Sequence, residues 1–358
     1  MIARILAAAL AGLLLGAPSV AQQAERDRNC RDDRGVDRCS DEQQRRTRTL
    51  YGVRSIEEHG AAGDQVRRIF YVDGYGRDLV MIAFARTAGR DPALWVHYPQ
   101  REGERRRPEP VQAAVPQSAW DEALRRSEHF DRRFAPLAAG ASDAFSICMH
   151  SWVYTIEASD PPERGQPMEI RRKTEDACED GPGGVYALEL QRIALELIPH
   201  CAALDPEQHR NAASILDACR LLHGDRLAAA EVLNRAHPFR QLGGAGDAQR
   251  IAGRFAHETR IDWAGTPYRG PGHRAGEFWA GRLVRADGAP TNMYFERLEG
   301  ESGSRVRLTG LLSRSVDTPR GVATGHETAT IEQIWVRDVN GEMQVEQATI
   351  GPWRTAER

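Results

Sequence analysis

Short apolar runs separated by turn residues dominate the chain from Gln65 to Ile156. Runs of this length, bounded by Gly, Pro, Asn or Asp, are typical of β-strands. Between the first two runs, the segment Asp73-Gly74-Tyr75-Gly76 has the composition of a hairpin turn. The strands predicted for this part of the chain are Ile69–Val72, Leu79–Ala85, Ala93–Tyr98 and Ile147–Ile156.

Apolar residues at helical spacing are found in three stretches before Gly224. Trp120–Phe134 repeats them every third or fourth residue, and Val185–Ile198 predicts a strongly amphipathic helix. A third helix is predicted to begin at Asp205-Pro206, because Asp is a good N-cap and Pro suits the first helical position. This helix is expected to run to Leu222 and to stop at Gly224, where we place a domain boundary.

In the last third of the chain, helices precede strands with regular alternation. The first helix is predicted to begin at Arg226 and to be ended by Pro238. Its core face is expected to carry Leu227, Val232 and Leu233. The two other predicted helices are Ala248–His257 and Ala275–Leu283. The predicted strands are Thr259–Trp263, Pro267–Arg269, Met293–Leu298, Arg305–Val316, Ala329–Arg337 and Met343–Ile350. Helices followed by an antiparallel run of strands predict an α+β fold, with a curved sheet packed on three helices.

The N-terminus has the features of a secretory signal peptide. Arg4 supplies a positive charge, Ile5–Leu15 is apolar but too short to span a bilayer, and Ser19-Val20-Ala21 resembles a cleavage site. Residues 1–21 are therefore expected to be removed after Ala21, which predicts a periplasmic or secreted protein. No later stretch is long and apolar enough to span a membrane, so an integral membrane protein is not expected.

The mature chain is predicted to have three parts. Residues 22–50 are rich in charged and polar residues and predict a flexible polar arm. Residues 51–224 predict an N-terminal α+β domain that contains disulfides and a helical hairpin. Residues 225–358 predict the C-terminal sheet domain.

The six cysteines all follow the predicted signal peptide, and export favours their oxidation. Several pairings of six cysteines are possible. Proximity along the chain favours Cys30 with Cys39, Cys148 with Cys178, and Cys201 with Cys219. The alternative is a metal site built from Cys148, His150, His200 and Cys201, but its spacing matches no zinc motif, so no metal is predicted.

Charge and motifs exclude several classes of function. The formal net charge is −3, and the run Arg105-Arg106-Arg107 lies among glutamates without interleaved aromatic residues. A nucleic-acid partner is therefore not expected. The chain has no phosphate-binding loop, no dinucleotide fingerprint after a strand and no nucleophile elbow, so no cofactor is predicted.

The order of motifs in residues 225–354 resembles a known family. Gly246-Asp247 precedes a helix, and Ile261-Asp262-Trp263 forms a strand after Phe255-Ala256. Tyr268-Arg269-Gly270 and Glu277-Phe278-Trp279 follow, and a long hairpin ends the chain. This order resembles the ketosteroid-isomerase-like and SnoaL-like proteins of the nuclear-transport-factor-two superfamily. The resemblance implies a cone-shaped fold with a pocket between its sheet and its helices.

The residues that serve the isomerases are mostly absent from the matching positions. The resemblance implies a base in the first strand, where this chain has Trp263, and a tyrosine in the first helix, near Phe239. Only the third position keeps an acid, Glu332. Tryptophan and phenylalanine cannot take up a proton or donate a hydroxyl, so ketosteroid-type isomerisation is not predicted.

The implied pocket suggests a set of ligand-binding residues. Arg314 is expected to pair with Glu332 or with an anionic ligand. The alternative for Trp263 and Trp279 is ordinary core packing, and for Glu332 a structural salt bridge. The candidate ligand-binding residues are Trp263, Tyr268, Trp279, Tyr294, Arg314 and Glu332.

Three functions remain open at this point. The first is a non-catalytic protein whose C-terminal domain binds a small, partly apolar ligand or a protein partner. The second is an enzyme of the SnoaL or dehydratase type that uses Asp262, His273 or Glu332 for acid–base chemistry. The third is a structural envelope protein that self-associates through its sheet, for example as a homodimer.

Overall fold

A computed structural model describes residues 46–101, 107–125, 152–160, 169–176, 182–209, 211–242, 247–283, 291–317 and 323–355. The chain forms two compact units that divide between Leu197 and Ile198. The second unit therefore begins ahead of Gly224, where the sequence predicts the domain boundary. No helix in the described ranges is long and apolar enough to cross a membrane.

The first unit contains a six-stranded antiparallel sheet in the order β4-β3-β2-β1-β5-β6. Its strands are β1 Gln65–Val72, β2 Asp78–Arg86, β3 Ala93–His97, β4 Val111–Ala114, β5 Val153–Asp160 and β6 Glu169–Asp176. The three strands predicted between Ile69 and Tyr98 are confirmed. The first part of the predicted strand Ile147–Ile156, with Cys148 and His150, lies outside the described residues. The sequence did not predict β4 or β6, because neither is a continuous apolar run.

Helices cover both faces of this sheet. The helical elements are a π-helical turn Thr47–Tyr51, α1 Ile56–Ala61, α2 Gln117–Arg125 and α3 Pro182–Leu197. Arg68 of β1 donates to a backbone carbonyl just before α1, whereas the Tyr71 hydroxyl donates to the Ala187 carbonyl in α3. Side chains three apart on a strand point to opposite faces, so α1 and α3 lie on opposite sides. Thr47 is fully buried, which assigns residues 46–50 to this unit rather than to the predicted arm.

The second unit contains a larger sheet in the order β10-β9-β14-β13-β12-β11-β7. Its strands are β7 Leu222–Gly224, β8 Gln241–Leu242, β9 Phe255–Trp263, β10 Thr266–Pro271, β11 Thr291–Ser302, β12 Arg305–Asp317, β13 Ala323–Arg337, β14 Met343–Ile350 and β15 Arg354–Thr355. The pairs β9–β14 and β7–β11 are parallel, so the prediction of a purely antiparallel sheet is wrong. Strands β9 and β14, the first and last long strands along the chain, lie side by side. Local sequence patterns do not reveal such a long-range pairing.

Helices of the second unit cover one face of this sheet, which we call the inner face. They are α4 Pro199–Ala202, α5 Ala212–Cys219, α6 Arg226–Ala236, α7 Asp247–Ala252 and α8 Gly272–Leu283, with 3-10 helices at Pro206–Gln208 and His237–Arg240. Helix α6 packs on β11 and α8 packs on β9, while α7 packs on α8. As predicted, the helix α6 ends just before Pro238, which lies in the following 3-10 helix.

The single helix predicted from Asp205 to Leu222 is wrong, because the structure has a 3-10 helix, a separate helix α5 and the strand β7 in this segment. Asp205 does accept a hydrogen bond from the Glu207 amide, but it caps only a 3-10 turn. A second cap, Asn211, starts α5 by accepting from the Ser214 amide. Leu222 belongs to β7, because its backbone pairs with β11.

The disulfide between Cys201 and Cys219 is confirmed and joins α4 to α5. It lies in the second unit, although the sequence assigns both cysteines to the N-terminal domain. The other predicted pairs lie outside the described residues: Cys30 with Cys39, and Cys148 with Cys178.

Two further predictions are corrected near the sheet. The predicted helix Ala248–His257 is too long, because α7 ends at Ala252 and a turn at Gly253 leads into β9. Phe255 is therefore a strand residue paired with Val345. Leu227 is 57% exposed, because the buried stripe of α6 passes through its alanines and through Val232 and Leu233.

Candidate ligand site

Five aromatic residues form a connected group between the inner face and its helices. Phe239 lies at the centre, with ring centroids 5.7 Å from Phe255, 5.6 Å from Trp279 and 6.1 Å from Trp335. Trp263 joins the group through Trp279, at 5.4 Å. The rings meet mostly edge to face, the arrangement that their quadrupoles favour. All five side chains are buried.

Local sequence explains how each ring reaches this group. Pro238 ends helix α6, and the tight 3-10 turn that follows directs Phe239 inward. Strand β9 alternates between buried and exposed positions near its end, so Trp263 is buried while Asp262 is exposed. Trp279 lies on the buried stripe of α8.

Gln333 is a fully buried polar residue on the same inner face. Its Oε1 accepts a hydrogen bond of 3.0 Å from the indole Nε1 of Trp335. An indole N–H can only donate, so the amide oxygen must face it and the amide NH2 must point away. Within the described ranges this Nε2 has no hydrogen-bond partner.

The indole N–H of Trp279 is a second buried hydrogen-bond donor without a partner among the described residues. Leaving a buried donor unpaired costs about 1–3 kcal/mol. The inner face therefore combines apolar aromatic walls with two groups that can only donate, which suits an apolar molecule that carries an acceptor oxygen.

The structure separates the predicted site residues onto two faces. Trp263 and Trp279 lie inside, where they contact each other as core packing. Asp262 and Glu332 lie on the outer face, which is the face away from the helices, and both align with Thr349 in the strand between them. Side chains alternate along a strand, so a shift of one residue moves a side chain to the other face.

Arg314 does not pair with Glu332, so the predicted ion pair is wrong. Arg314 lies directly opposite Glu327 on β13, and its Nε and Nη2 donate to Glu327 Oε2 at 2.8 and 2.6 Å. Its guanidinium carbon also lies 4.0 Å from the centroid of the Trp353 ring. Glu332 instead faces Arg307, at 3.6 Å.

The remaining predicted residues lie apart from the aromatic group. The Tyr268 hydroxyl donates to the Pro271 carbonyl at 2.8 Å, and its ring stacks on Phe278. Tyr294 is 57% exposed on the outer face of β11. His273 is exposed at the start of α8.

Sequence reasoning missed Gln333, although a signal was present. Gln333 lies two residues from both Ile331 and Trp335, and residues two apart on a strand share a face. The apolar neighbours at this spacing therefore predict that Gln333, and not Glu332, lies inside.

No protein-family model and no curated protein matches the chain. Among solved structures, the chain is similar to Aln2 from a Streptomyces species, with 20% identity, a TM-score of 0.26, and coverage of 34% of this chain and 84% of that one. It is also similar to a protein from Shewanella frigidimarina named provisionally as a ketosteroid isomerase, with 9% identity, a TM-score of 0.26, and coverage of 35% and 94%. A third is Rd1NTF2_05 with long sheet, with 21% identity, a TM-score of 0.22, and coverage of 30% and 83%.

These neighbours are nuclear-transport-factor-two-like, SnoaL-like and ketosteroid-isomerase-like structures that cover about 30% of the chain. These are the kinds of structure with which the sequence analysis compares the C-terminal part. With TM-scores below 0.5, the likenesses carry no inference about activity or ligand.

Proposed function

We propose that the second unit binds a small, partly apolar ligand on the inner face of its sheet and that it performs no catalysis. The ligand lies against Trp263 and Trp279. It accepts hydrogen bonds from Gln333 and from the indole of Trp279. The unpaired amide of Gln333 is the observation that carries this proposal.

The electrostatics of this face support binding rather than acid–base chemistry. Trp263 occupies the position where the resemblance implies a base, and an indole cannot take up a proton. The acids of the enzyme alternative, Asp262 and Glu332, lie on the outer face. A turnover that disappears in Glu332→Gln, in a folded protein, would contradict the non-catalytic part of the proposal.

We also propose that the protein is exported to the periplasm or secreted, with cleavage after Ala21. The disulfide between Cys201 and Cys219 supports this proposal, since disulfides persist mainly in oxidising compartments. The mass of the mature protein tests it, because cleavage after Ala21 leaves Gln22 at the N-terminus.

Exposure of Tyr294 favours a second candidate, in which the outer face binds a protein partner or a second copy of the chain. Its large ring is 57% exposed on that face. Sedimentation analysis at several concentrations tests the second copy. We expect Tyr294→Ser to weaken any dimer, and a monomer at every concentration contradicts self-association.

Native mass spectrometry of the protein purified from its producing cells tests the ligand proposal. We expect a retained small molecule in the wild type and in Glu332→Gln, the matched control on the outer face. Trp279→Phe removes one donor but keeps an aromatic ring and the Gln333–Trp335 hydrogen bond, and Gln333→Leu removes the other donor.

Trp279→Phe and Gln333→Leu are both expected to retain less of the small molecule than the wild type, or none. Circular dichroism and melting curves show whether each variant is folded. A wild type that retains no molecule and also binds no methyl 2-naphthoate, a neutral aromatic ester with acceptor oxygens, would show that the proposal is wrong.

A further inference from the structure

Arg240 is a partly buried cation next to the aromatic group. It follows Phe239 directly in the 3-10 helix. Its guanidinium carbon lies 5.2 Å from the centroid of the Phe295 ring, on the inner face of β11. Burial alone lowers the pKa of Arg240, and no carboxylate of the described residues forms an ion pair with it.

Other arginines of the same unit have such partners. Arg235 pairs with Glu342 at 2.9 Å, Arg250 with Asp247 at 2.8 Å, and Arg314 with Glu327. A guanidinium stays charged at any ordinary pH, and a partly buried charge without a counter-ion is unfavourable. An anion at Arg240 would remove this cost.

The neighbours of Arg240 set the charge that such an anion should carry. His209 and His237 have pKa values lowered by burial and then by the charge of Arg240. The negative charge of Asp205 raises the pKa of both histidines, and that of Asp217 raises the pKa of His209, but burial has the larger effect. Arg250, which also lowers the pKa of His237, is already paired with Asp247. Arg240 is therefore the cation here without an ion-pair partner among the described residues, and a single unpaired charge suits a singly charged anion.

We propose that Arg240 binds the carboxylate of an organic monoanion whose apolar part lies on the inner face. The inference rests on the proposed function and names the class of its ligand. A guanidinium matches a carboxylate with two parallel hydrogen bonds, and the Phe295 ring holds the guanidinium plane in place. This role replaces the one that the sequence assigns to Arg314, which Glu327 already neutralises.

The strand geometry sets the size of the ligand. Phe295 and Gln333 lie on β11 and β13, with β12 between them. Phe295 aligns through Gly310 with Ile331, two residues before Gln333. Strand spacing and rise then place their backbones about 12 Å apart. A bicyclic aromatic carboxylate is long enough to reach from Arg240 toward the Gln333 amide.

Isothermal titration with 6-methoxy-2-naphthoate and its methyl ester tests the inference. The two probes share an aromatic body with an acceptor oxygen at its far end for the Gln333 amide, but only the first is charged. We expect the wild type to prefer the carboxylate by about 10- to 100-fold, as for a charge-assisted hydrogen bond. Arg240→Gln should abolish this preference while leaving the affinity for the ester unchanged, and Arg240→Lys should keep part of it.

Arg282→Gln is the matched control. Arg282 also lies over a ring, 5.0 Å from the centroid of Phe278, but it is exposed on α8. Its substitution should change neither affinity. Equal binding of both probes, unaffected by Arg240→Gln, would overturn the role of Arg240 and leave the ligand site standing. Failure of both probes to bind the wild type would overturn the role of Arg240. Only if the wild type also retains no molecule in native mass spectrometry would the ligand site be overturned as well.

Discussion

Glu332 and Gln333 are adjacent in β13, and their side chains lie on opposite faces of the sheet. Glu332 is partly exposed and faces Arg307, whereas Gln333 is fully buried against Trp335. The chemistry available inside the second unit therefore depends on the register of one strand. An acid at the inner position would permit proton transfer, and the amide that is present there permits only hydrogen bonding.

The same strand provides a test of how ion pairs depend on position. We expect Glu327→Gln to lower the free energy of unfolding by about 1 kcal/mol, because the Arg314–Glu327 pair is three-quarters buried and Arg314 also stacks on Trp353. Glu332→Gln should have no measurable effect, since its partner Arg307 is far more exposed. Urea unfolding measures both variants, and equal effects would contradict the prediction.

A side chain at Gly52 is expected to displace the end of the Arg107 side chain. The Gly52 φ of 63° is unfavourable for other residues, and an added Cβ would overlap the guanidinium of Arg107. Arg107 would then lose its hydrogen bonds to the Leu50 and Thr49 carbonyls. We expect Gly52→Ala to lower the free energy of unfolding by about 2–3 kcal/mol.

Gly76→Ala is the control for the backbone contribution. Gly76 has a φ of 78°, but its added Cβ would meet no atom within 4 Å. Its substitution should cost only about 1 kcal/mol. A double-mutant cycle with Arg107→Ala isolates the overlap, and the prediction fails if Arg107→Ala leaves the effect of Gly52→Ala unchanged.

Glu157 holds two buried arginines of the first unit together. Arg68 Nε and Arg172 Nε donate to its two carboxylate oxygens at 2.5 and 2.6 Å, and all three side chains are buried. Glu157→Gln would leave two buried cations without their shared anion, and we expect a loss of about 3–5 kcal/mol in the free energy of unfolding. Glu196→Gln, which alters an exposed pair with Arg192, is the control. Similar losses in chemical denaturation would disprove the claim.

His97 is expected to make the first unit less stable in acid. Burial, followed by the nearby Arg68, Arg107 and His59, lowers its pKa from 6.5 to about 4. The unfolded chain therefore binds a proton at His97 that the folded chain rejects between these two values. The free energy of unfolding should fall as the pH drops from about 6.5 to about 4, by at most about 3 kcal/mol.

Urea unfolding across this pH range, in the wild type and in His97→Gln, measures the contribution of the histidine. The variant should lose part of the acid destabilisation. His273→Gln, at an exposed residue of the second unit, is the control for replacing a histidine outside the first unit. Parallel pH profiles for wild type and His97→Gln would rule out the proposed role of His97.

Local features of the fold were predictable from the sequence alone. The apolar runs before and after Asp73–Gly76 determine β1 and β2, because alternation and turn chemistry act between neighbouring residues. Pro238 determines the end of α6, since it lacks a backbone N–H. Cys201 and Cys219 are only 18 residues apart along the chain, which favours their pairing.

Long-range relationships were decided only by the tertiary structure. The parallel pairing of β9 with β14 joins segments that are far apart in sequence. The register of β12 against β13 places Arg314 opposite Glu327 rather than Glu332. The same register places Gln333 on the inner face of the sheet. Arg240 is distinguished from the paired arginines only by its three-dimensional surroundings. The physical reason is that burial and ion pairing depend on which strands meet, whereas local patterns determine only what each strand is.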